Sequence, residues 1–502
     1  MKELLYIKTI GQLRAAGYKV LSVKDEVRKN LIEKLRRREK LFTGIIGFDG
    51  TVIPELCNAI LSRHDFILLG LRGQAKSRIL RALPDLLDEY IPIIKGSEIN
   101  DNPFQPISKY AVDIVREHGD EAEIEWVNRD RRYGEKLATP DVTIADLIGD
   151  IDPIKAAAQR LHYAHEGVIH FGIIPRTNRG IFAINELPDL QPRIQVGLFN
   201  VMQEKDIQIR GFPIRIPLDV MMVYSANPED YTNRGNIITP LKDRIGSQIH
   251  THYPRSIEHG ISIMKQEAWT RRDGMALAVP SFLYEIIESV AMAARQSEFV
   301  DQKSGVSTRL TITCVENMIS NAERRAFING EGSIVPRICD LFAALAAVTG
   351  KIELVYEGEQ EGVMNVSKGL LGKAIKHIFL KYFPEPYAAA KKGHNPYAGI
   401  VAWFKNDRKL DISDGMSNEE YLKALQRVDG LREVAKKFLP AEMISNHTEL
   451  AVGMEFVLEG LHQNSMLSKD EVDNVRTYSD MINKMFSSIN QPDEDDEGRE
   501  YV

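Results

Sequence analysis

Short apolar runs alternate with amphipathic helical patterns through the first half of the chain. Because strands that alternate with helices usually form a parallel sheet covered on both faces, the pattern predicts an α/β domain. One run closely follows the helix after the first strand, which predicts a β-α-β crossover. The predicted strands are residues 66–69, 90–95, 180–184, 220–224 and 248–253.

Weaker patterns lie between these strands. Residues 123–127 alternate like a further strand, and residues 129–134 are predicted to form an exposed turn. Residues 207–216 alternate on both sides of a Gly-Phe-Pro turn, which is typical of a β-hairpin. Residues up to about 40 are predicted to be helical, and the basic run 34–40 is interpreted as a solvated helix face.

From about residue 255 the pattern becomes mainly helical. Residues 281–295 and 310–327 are the clearest amphipathic segments and predict a separate helical lid. Capping boxes that begin at Ser417 and Ser468 predict further helices. The aromatic and proline-rich span 382–404 is interpreted as local core, with a partner surface as the alternative. The acidic run 493–497 predicts a disordered tail.

Composition narrows the class of protein. The chain has 502 residues, of which 43% are hydrophobic and 27% charged, as in ordinary globular proteins. Its net charge of −7 indicates no general affinity for nucleic acid. The three cysteines lie far apart, so we expect buried thiols and not a disulfide framework. Since neither a membrane-spanning run nor a secretion signal is evident, we expect a cytoplasmic protein without membrane insertion.

A phosphate-binding loop is the strongest chemical signal. Residues 70–77 follow a short apolar strand, precede a helical pattern and fit G-x-x-x-x-G-K-[ST], except that Ala75 replaces the second glycine. Small residues let successive backbone N–H groups turn toward a phosphate. Lys76 would reach the β- and γ-phosphates, and the Ser77 hydroxyl would bind Mg²⁺. The motif alone also fits a chance glycine-rich turn.

Five further residues, at four places along the chain, follow in the order that an ATPase requires. Asn185 and Glu186 end the third apolar strand, where a Mg²⁺-orienting residue and a water-activating carboxylate are expected. Asn227 ends the next strand and could contact the γ-phosphate. Arg244 could meet a neighbouring subunit's γ-phosphate, and Arg309 could reach the nucleotide from the lid. Each is weak alone, but an ordered set is hard to obtain by chance.

This set resembles the AAA+ ATPases of the magnesium chelatase I-subunit and MoxR clade. Residues 70–77 resemble its Walker A motif, 180–186 its Walker B motif, and 241–245 its arginine-finger motif. Asn227 is similar to its sensor 1 and Arg309 to its sensor 2. Residues 44–47 resemble its adenine-side segment. The likeness spans roughly residues 40–350 and does not explain residues 351–502.

The resemblance implies a fold and a site. We expect an α/β AAA+ P-loop NTPase core with a parallel five-stranded sheet, a helical lid and a mostly helical C-terminal region. The implied cofactors are ATP and Mg²⁺, with the metal held by Ser77 and, through water, by Asn185. The expected catalytic residues are Glu186, Asn227, Arg244 and Arg309. The expected nucleotide-binding residues are Ile46, Gly47, Gly70, Leu71, Arg72, Gly73, Gln74, Ala75, Lys76, Ser77 and Arg78.

The expected domain organisation has five parts. They are an N-terminal helical segment (1–40), the nucleotide-binding domain (41–256), the helical lid (257–350), a helical C-terminal domain (351–490) and an acidic disordered tail (491–502).

Two departures from the family pattern bear on activity. Asn185 stands where the family has Asp, and Ala75 where it has Gly. A neutral amide can still hydrogen-bond a metal-bound water, so nucleotide binding should survive while hydrolysis becomes slow. Because Glu186, Asn227, Arg244 and Arg309 are all present, an active ATPase is the preferred interpretation.

Three hypotheses therefore compete. The first is a Mg²⁺-dependent ATPase that forms a ring, expected to be a hexamer, and remodels a partner protein or inserts a metal into a cofactor. The resemblance implies a partner with a von Willebrand factor A domain. The second is a nucleotide-gated scaffold with negligible hydrolysis. The third, a sigma-54-type transcriptional activator, is disfavoured because Phe42-Thr-Gly44 lies before the phosphate loop, not after it.

Overall fold

The computed structural model describes residues 4–154, 156, 166–209, 215–228, 236–272, 274–391, 395–405, 408–472 and 474–481. The chain divides into two compact units, Met1–Tyr253 and Pro254–Val502. Each unit contains hydrophobic core residues of its own. The predicted acidic tail and the Gly-Phe-Pro turn of the hairpin lie outside the described residues.

The first unit alternates helices and strands. Its helices are α1 (Ile10–Ala15), α2 (Val23–Arg36), α3 (Val52–Leu61), α4 (Lys76–Ala82), α5 (Lys109–His118), α6 (Ile144–Leu147), α7 (Ile173–Arg176), α8 (Pro192–Gly197), α9 (Phe199–Gln203) and α10 (Thr239–Arg244). Its strands are β1 (Phe66–Leu69), β2 (Tyr90–Ile94), β3 (Ile124–Asn128), β4 (Tyr133–Leu137), β5 (Gly149–Ile151), β6 (Ile169–Phe171), β7 (Gly180–Asn185), β8 (Asp206–Gln208), β9 (Arg215–Pro217), β10 (Val220–Ala226) and β11 (Ser247–His250).

A parallel five-stranded sheet forms the centre of this unit, in the order β11-β1-β10-β7-β4. Successive residues of β1 point to opposite faces: Ile67 and Leu69 join one core cluster, and Phe66 and Leu68 join another. Burial on both faces explains why β1, β7 and β10 are continuous apolar runs. The predicted α/β core with a five-stranded parallel sheet is confirmed.

The membership of the sheet differs from the prediction at one strand. Strand β2 does not enter the parallel sheet but pairs antiparallel with β3, with Tyr90 opposite Asn128. The predicted β-α-β crossover into β2 is therefore wrong. The fifth strand is β4, which pairs parallel with β7 from Tyr133 opposite Ile181. As an edge strand, β4 is only partly buried, so its sequence shows no apolar run.

Residues 129–134 are not an exposed turn. Arg129–Arg132 form a short 3₁₀ helix, and β4 begins at the next residue. Arg132 is fully buried. Its guanidinium donates to both carboxylate oxygens of Glu26 on α2, at 2.8 and 2.6 Å. A buried arginine with a bidentate carboxylate partner satisfies its charge locally. Tertiary pairing thus overrides the polar composition of this segment.

The predicted N-terminal helical segment and the predicted β-hairpin are both present in the structure. Ser22 caps α2 by accepting the Asp25 N–H, and Val27 and Leu31 of this helix are buried. Most of the basic run 34–40 is exposed, as the interpretation of a solvated face requires. Strands β8 and β9 pair antiparallel on either side of the predicted turn.

In the described residues, the second unit is mainly helical with two small sheets, one of two strands and one of three. Its helices are α11 (Ile257–Glu267), α12 (Ser281–Ala294), α13 (Arg309–Ile328), α14 (Ile338–Ala343), α15 (Leu345–Thr349), α16 (Tyr356–Glu361), α17 (Val363–Tyr382), α18 (Pro386–Lys391), α19 (Ala398–Phe404), α20 (Asn418–Gln426), α21 (Leu431–Phe438) and α22 (His447–Gln463). Its strands are β12 (Ala276–Leu277), β13 (Ser333–Ile334), β14 (Leu410–Ser413), β15 (Leu467–Val472) and β16 (Val475–Asp480).

One core cluster in the second unit includes residues from Met264 to Tyr478, so it runs across position 350. The proposed boundary between a lid and a C-terminal domain stays a prediction. Phe383, Tyr397 and Phe404 of the aromatic span are buried, in agreement with local core.

Only one of the two predicted capping boxes opens a helix. Ser417 and Glu420 form the reciprocal hydrogen bonds that begin α20. Ser468 instead lies in β15, which pairs antiparallel with β16 in a three-stranded sheet with β14. The prediction of a helix there is wrong, because cross-strand pairing outweighs a short capping pattern.

Two expectations from composition can be compared with the structure. The thiols of Cys57, Cys314 and Cys339 are buried and form no disulfide. Within the described residues, every helix is too short or too polar to cross a bilayer.

Candidate nucleotide-binding site

The loop between β1 and α4 contains positions at which the structure requires or favours glycine. A Cβ atom at Gly70 would collide with the side chains of Thr251 and Gln74, so only glycine fits there. Gln74 is buried, and its Oε1 accepts the Thr251 hydroxyl at 2.8 Å. Gly73 has a positive φ of 75°, which favours glycine. Gly70, the first glycine of the sequence motif, is therefore required by packing, and Gly73 supplies a second glycine-type turn at a variable position of the motif.

Ala75 has the backbone conformation that the missing glycine would adopt easily. Its φ of 57° and ψ of 14° are left-handed. An L-residue with a Cβ is disfavoured there by roughly 1–2 kcal/mol. The loop therefore keeps the glycine geometry despite the alanine.

Lys76 begins α4 and lies over its own loop. The side chain is buried, and Nζ donates to the carbonyl oxygens of Gly70 and Leu71, the latter at 3.0 Å. These hydrogen bonds hold the ammonium group against the loop backbone. The flanking side chains of Arg72 and Arg78 are exposed.

The register of the sheet brings Asn227, Asn185 and Glu186 to the carboxyl ends of the strands, where the loop also begins. The Gly70 N–H donates to the Ala226 carbonyl at 3.2 Å, so Asn227 comes directly beside the loop. Strand β7 pairs with the other side of β10, which places Asn185 and Glu186 at this edge as well. Asn185 and Asn227 are buried, and Glu186 is half-buried.

Asn185 connects the loop helix to the sheet. Its Oδ1 accepts the hydroxyl of Ser225 at 2.9 Å and that of Ser77 at 3.4 Å. Its Nδ2 donates to Oε1 of Glu135 at 2.5 Å. The predicted partners Ser77 and Asn185 are thus in contact, and their oxygens face each other.

Glu135 and Ser225 belong to the site but were not predicted from the sequence. Glu135 lies on β4, on the same face as Asn185, and also accepts two hydrogen bonds from Arg81 at 2.8 and 3.0 Å. These hydrogen bonds raise the pKa of Arg81. Nothing marks Glu135 in the sequence, because its role depends on β4 pairing with β7.

Glu186 has a left-handed backbone, with φ 54° and ψ 51°. Its N–H donates to the Ser225 hydroxyl oxygen at 3.3 Å. Left-handed residues other than glycine are concentrated at functional sites, because surrounding contacts must hold them there. The carboxylate is therefore presented from a fixed turn at the end of β7.

The segment 44–47 forms a turn within the same unit. Gly44 and Gly47 both have positive φ, at 86° and 81°, while Ile46 is half-buried. The next residue, Phe48, packs edge-on against His252, which follows β11. The predicted adenine contacts of Ile46 and Gly47 stay predictions.

The two predicted arginines are not among these contacts. Arg244 ends α10, where Nε donates to Gln203 at 2.9 Å and the guanidinium stacks on Phe199 at 4.8 Å. Arg309 is exposed at the first position of α13 in the second unit. Both nucleotide contacts stay predictions.

Comparison with known proteins gives a consistent resemblance. No protein-family model matches the chain. It is 28% identical over 239 residues to magnesium-chelatase subunit ChlI of Nostoc sp., covering 45% of this chain and 58% of that subunit. It is 28% identical over 372 residues to the ChlI subunit of Guillardia theta, covering 72% of this chain and 95% of that subunit. The chain resembles the I subunit of magnesium chelatase. It spans less than two thirds of the Nostoc subunit.

Solved structures give two further similarities. One is a cryo-EM-based complex between subunits BchI and BchD of magnesium chelatase, with 18% identity and a TM-score of 0.34, covering 64% of this chain and 98% of that one. The other is NtrX from Brucella abortus in complex with ADP, with 14% identity and a TM-score of 0.35, covering 80% of this chain and 72% of that one.

The side chains at this end of the sheet fit Mg²⁺ and a triphosphate. Ser77, Ser225 and Asn185 offer neutral oxygens, and Glu186 offers a carboxylate. Mg²⁺ prefers hard oxygen ligands and commonly takes one or two carboxylates with phosphate and water. Through the described part of the chain, no cluster of three or more His, Cys, Asp or Glu side chains suggests a metal held by protein alone.

Proposed function

We propose that the first unit binds ATP with Mg²⁺ and hydrolyses it to ADP and phosphate. The observation that carries the proposal is the register of β1, β10 and β7, which brings the predicted loop, Asn185, Glu186 and Asn227 to one sheet edge. In α/β sheets, ligands bind at the carboxyl ends of the strands. Similarity to the magnesium-chelatase I subunit supports the same activity.

Each residue then has a physical task. The Lys76 ammonium group now donates to carbonyl oxygens of the loop. With ATP bound, it would donate to phosphate oxygens instead and balance the negative charge of the phosphates. Glu186 would orient and deprotonate the attacking water, and Asn227 would hold the γ-phosphate or that water. The Ser77 hydroxyl would contribute an oxygen to Mg²⁺, which neutralises charge on the phosphates when bound.

A ring is the proposed assembly. By resemblance, six copies of the chain would assemble into a ring in the cytoplasm. Arg244 of one chain would complete the nucleotide site of its neighbour. The proposed role is remodelling of a partner with a von Willebrand factor A domain, or insertion of a metal into a cofactor. Rotation between subunits during hydrolysis would transmit the force.

The competing function is a nucleotide-gated scaffold with negligible hydrolysis. Two observations favour it: Asn185 carries no charge, and Ala75 adopts a strained left-handed conformation. Both changes lie at positions that support hydrolysis in the family pattern. The scaffold would bind ATP through Lys76 and change shape without turnover.

Two variants distinguish these functions. Lys76→Ala should abolish binding of a fluorescent ATP analogue. Glu186→Gln should keep that binding and lower steady-state phosphate release at least about 100-fold, as expected when a general base is lost. Glu204→Gln, an exposed carboxylate outside the site, is the matched control and should keep both.

The wild-type protein decides which proposal survives. Phosphate release that is lost in Lys76→Ala would establish the ATPase and exclude the scaffold. Nucleotide binding without release would establish the scaffold. Failure of the wild-type protein to bind nucleotide would overturn both.

A further inference from the structure

Asn185 and Glu135 form a contact that the sequence motif does not contain. The neutral amide lies on β7, where the family pattern has a carboxylate, and a carboxylate lies on the neighbouring strand β4 instead. The two groups are joined by a hydrogen bond of 2.5 Å between Nδ2 and Oε1. Asn185 is buried, whereas the Glu135 side chain is 20% exposed.

We propose that Glu135 is a positioning residue for Mg²⁺: it holds the Asn185 amide so that its oxygen faces Ser77, and it makes asparagine the residue that fits at position 185. This inference rests on the Mg²⁺-nucleotide binding proposed above. Glu135 acts through Asn185, since its own oxygens are occupied by Asn185 and Arg81.

The direction of the amide follows from its partners. A carboxylate can only accept hydrogen bonds, so the group that Asn185 turns toward Glu135 must be the NH₂. The oxygen then points the other way, where it accepts the hydroxyls of Ser225 and Ser77. Without Glu135 the amide could rotate by half a turn and present N–H groups, which cannot orient a metal-bound water by accepting from it.

An aspartate at position 185 would not fit beside Glu135. Two carboxylates would then be in contact, and like charges at this distance repel strongly when one is buried. Arg81 cannot remove the conflict, because both of its hydrogen bonds already go to Glu135 and its side chain is 66% exposed. The neutral amide of Asn185 therefore avoids this repulsion and donates a hydrogen bond to Glu135.

The test measures the Mg²⁺ concentration that half-saturates binding of N-methylanthraniloyl-ATP to the full chain, a readout independent of turnover. Glu135→Ala should raise it about tenfold, a typical loss when a residue supporting a metal ligand is removed. Glu135→Gln should largely rescue it, because the Gln oxygen still accepts the Asn185 NH₂.

Two controls separate positioning from general damage. Arg81→Ala removes the other partner of Glu135 and should change the Mg²⁺ requirement less than twofold. Glu123→Ala removes an exposed ion pair with Lys95 in the same unit and should have no effect. A Mg²⁺ requirement in Glu135→Ala equal to that of the wild type would overturn the inference and leave the proposed function intact.

If Glu135→Ala does not fold, the carboxylate of Glu135 and the amide of Asn185 can be exchanged instead. Asn185→Asp alone should raise the Mg²⁺ requirement and lower the thermal midpoint, and Glu135→Gln with Asn185→Asp should restore both. If the Mg²⁺ requirement of Asn185→Asp alone were no higher than that of the double variant, Glu135 would have no positioning role. Absence of nucleotide binding in the wild type would overturn this inference together with the proposed function.

Discussion

At the scale of single residues, Ala75 and Asn185 depart from the motif in different ways. Ala75 occupies the left-handed conformation of the glycine it replaces, so the loop shape is kept at an energetic penalty. Asn185 is matched by Glu135, which the motif does not include. Ala75 therefore keeps the loop shape at this penalty, whereas Asn185 is compensated by a carboxylate on the neighbouring strand β4.

The conformation of Ala75 predicts that Ala75→Gly stabilises the protein. Glycine removes the left-handed penalty but gains freedom in the unfolded chain, so the net gain is about 0.5–1 kcal/mol in the free energy of unfolding. Urea denaturation of the two proteins measures it. The matched control is Ala111→Gly in α5, which should destabilise by about 1 kcal/mol because that position is helical and buried. A loss of stability in Ala75→Gly would contradict the prediction.

At the scale of elements, the loop, β1, β7 and β10 were predictable from the sequence, whereas β4 was not. Strands buried on both faces are apolar throughout, so their pattern is visible without knowledge of their partners. Strand β4 is an edge strand of mixed composition, and β2 is apolar although it pairs outside the central sheet. Periodicity reports burial, but it does not report which strands pair.

Packing of α11 against α12 also buries a carboxylate that no motif uses. Glu288 on α12 is fully buried against Gly260 on α11, and its nearest cation is Arg295 at 3.4 Å. Burial raises the pKa of Glu288 to about 7, and the Arg295 charge opposes this rise. The folded protein therefore holds a proton that the unfolded chain releases above about pH 4.5.

This burial predicts that stability falls as pH rises from about 4.5 to about 7, since the folded state binds more protons in that window. Glu288→Gln should remove the decline and stabilise the protein at pH 8 by roughly 1–3 kcal/mol. Thermal unfolding at pH 5 and pH 8 measures both. The exposed Glu298→Gln is the control. A less stable Glu288→Gln at pH 8 would show that pairing with Arg295 outweighs burial.

At the scale of the whole molecule, the chain consists of two compact units, and the described P-loop site lies within the first. The proposed ring depends on Arg244, which packs on Phe199 and Gln203 of its own chain. For Arg244 to act on a neighbour, its surroundings must form part of a subunit contact.

Arg244→Ala should therefore lower phosphate release at least about 1000-fold while nucleotide binding is kept. Mixing inactive Arg244→Ala chains with inactive Lys76→Ala chains should restore part of the activity, because each supplies what the other lacks. A purely structural arginine would show a lower thermal midpoint and no restoration on mixing. Lys242→Ala, an exposed neighbour on α10, is the control and should stay active.

The sequence by itself determined the α/β core, the phosphate loop and the order of the predicted site residues. These features depend on local properties: apolar runs, small residues in a turn, and polar residues at strand ends. Tertiary structure alone decided that β4 completes the sheet, that Glu135 contacts Asn185, and that Arg132 is buried against Glu26. Such contacts join residues about 50 or more positions apart, and local pattern holds no information about which distant segments pair.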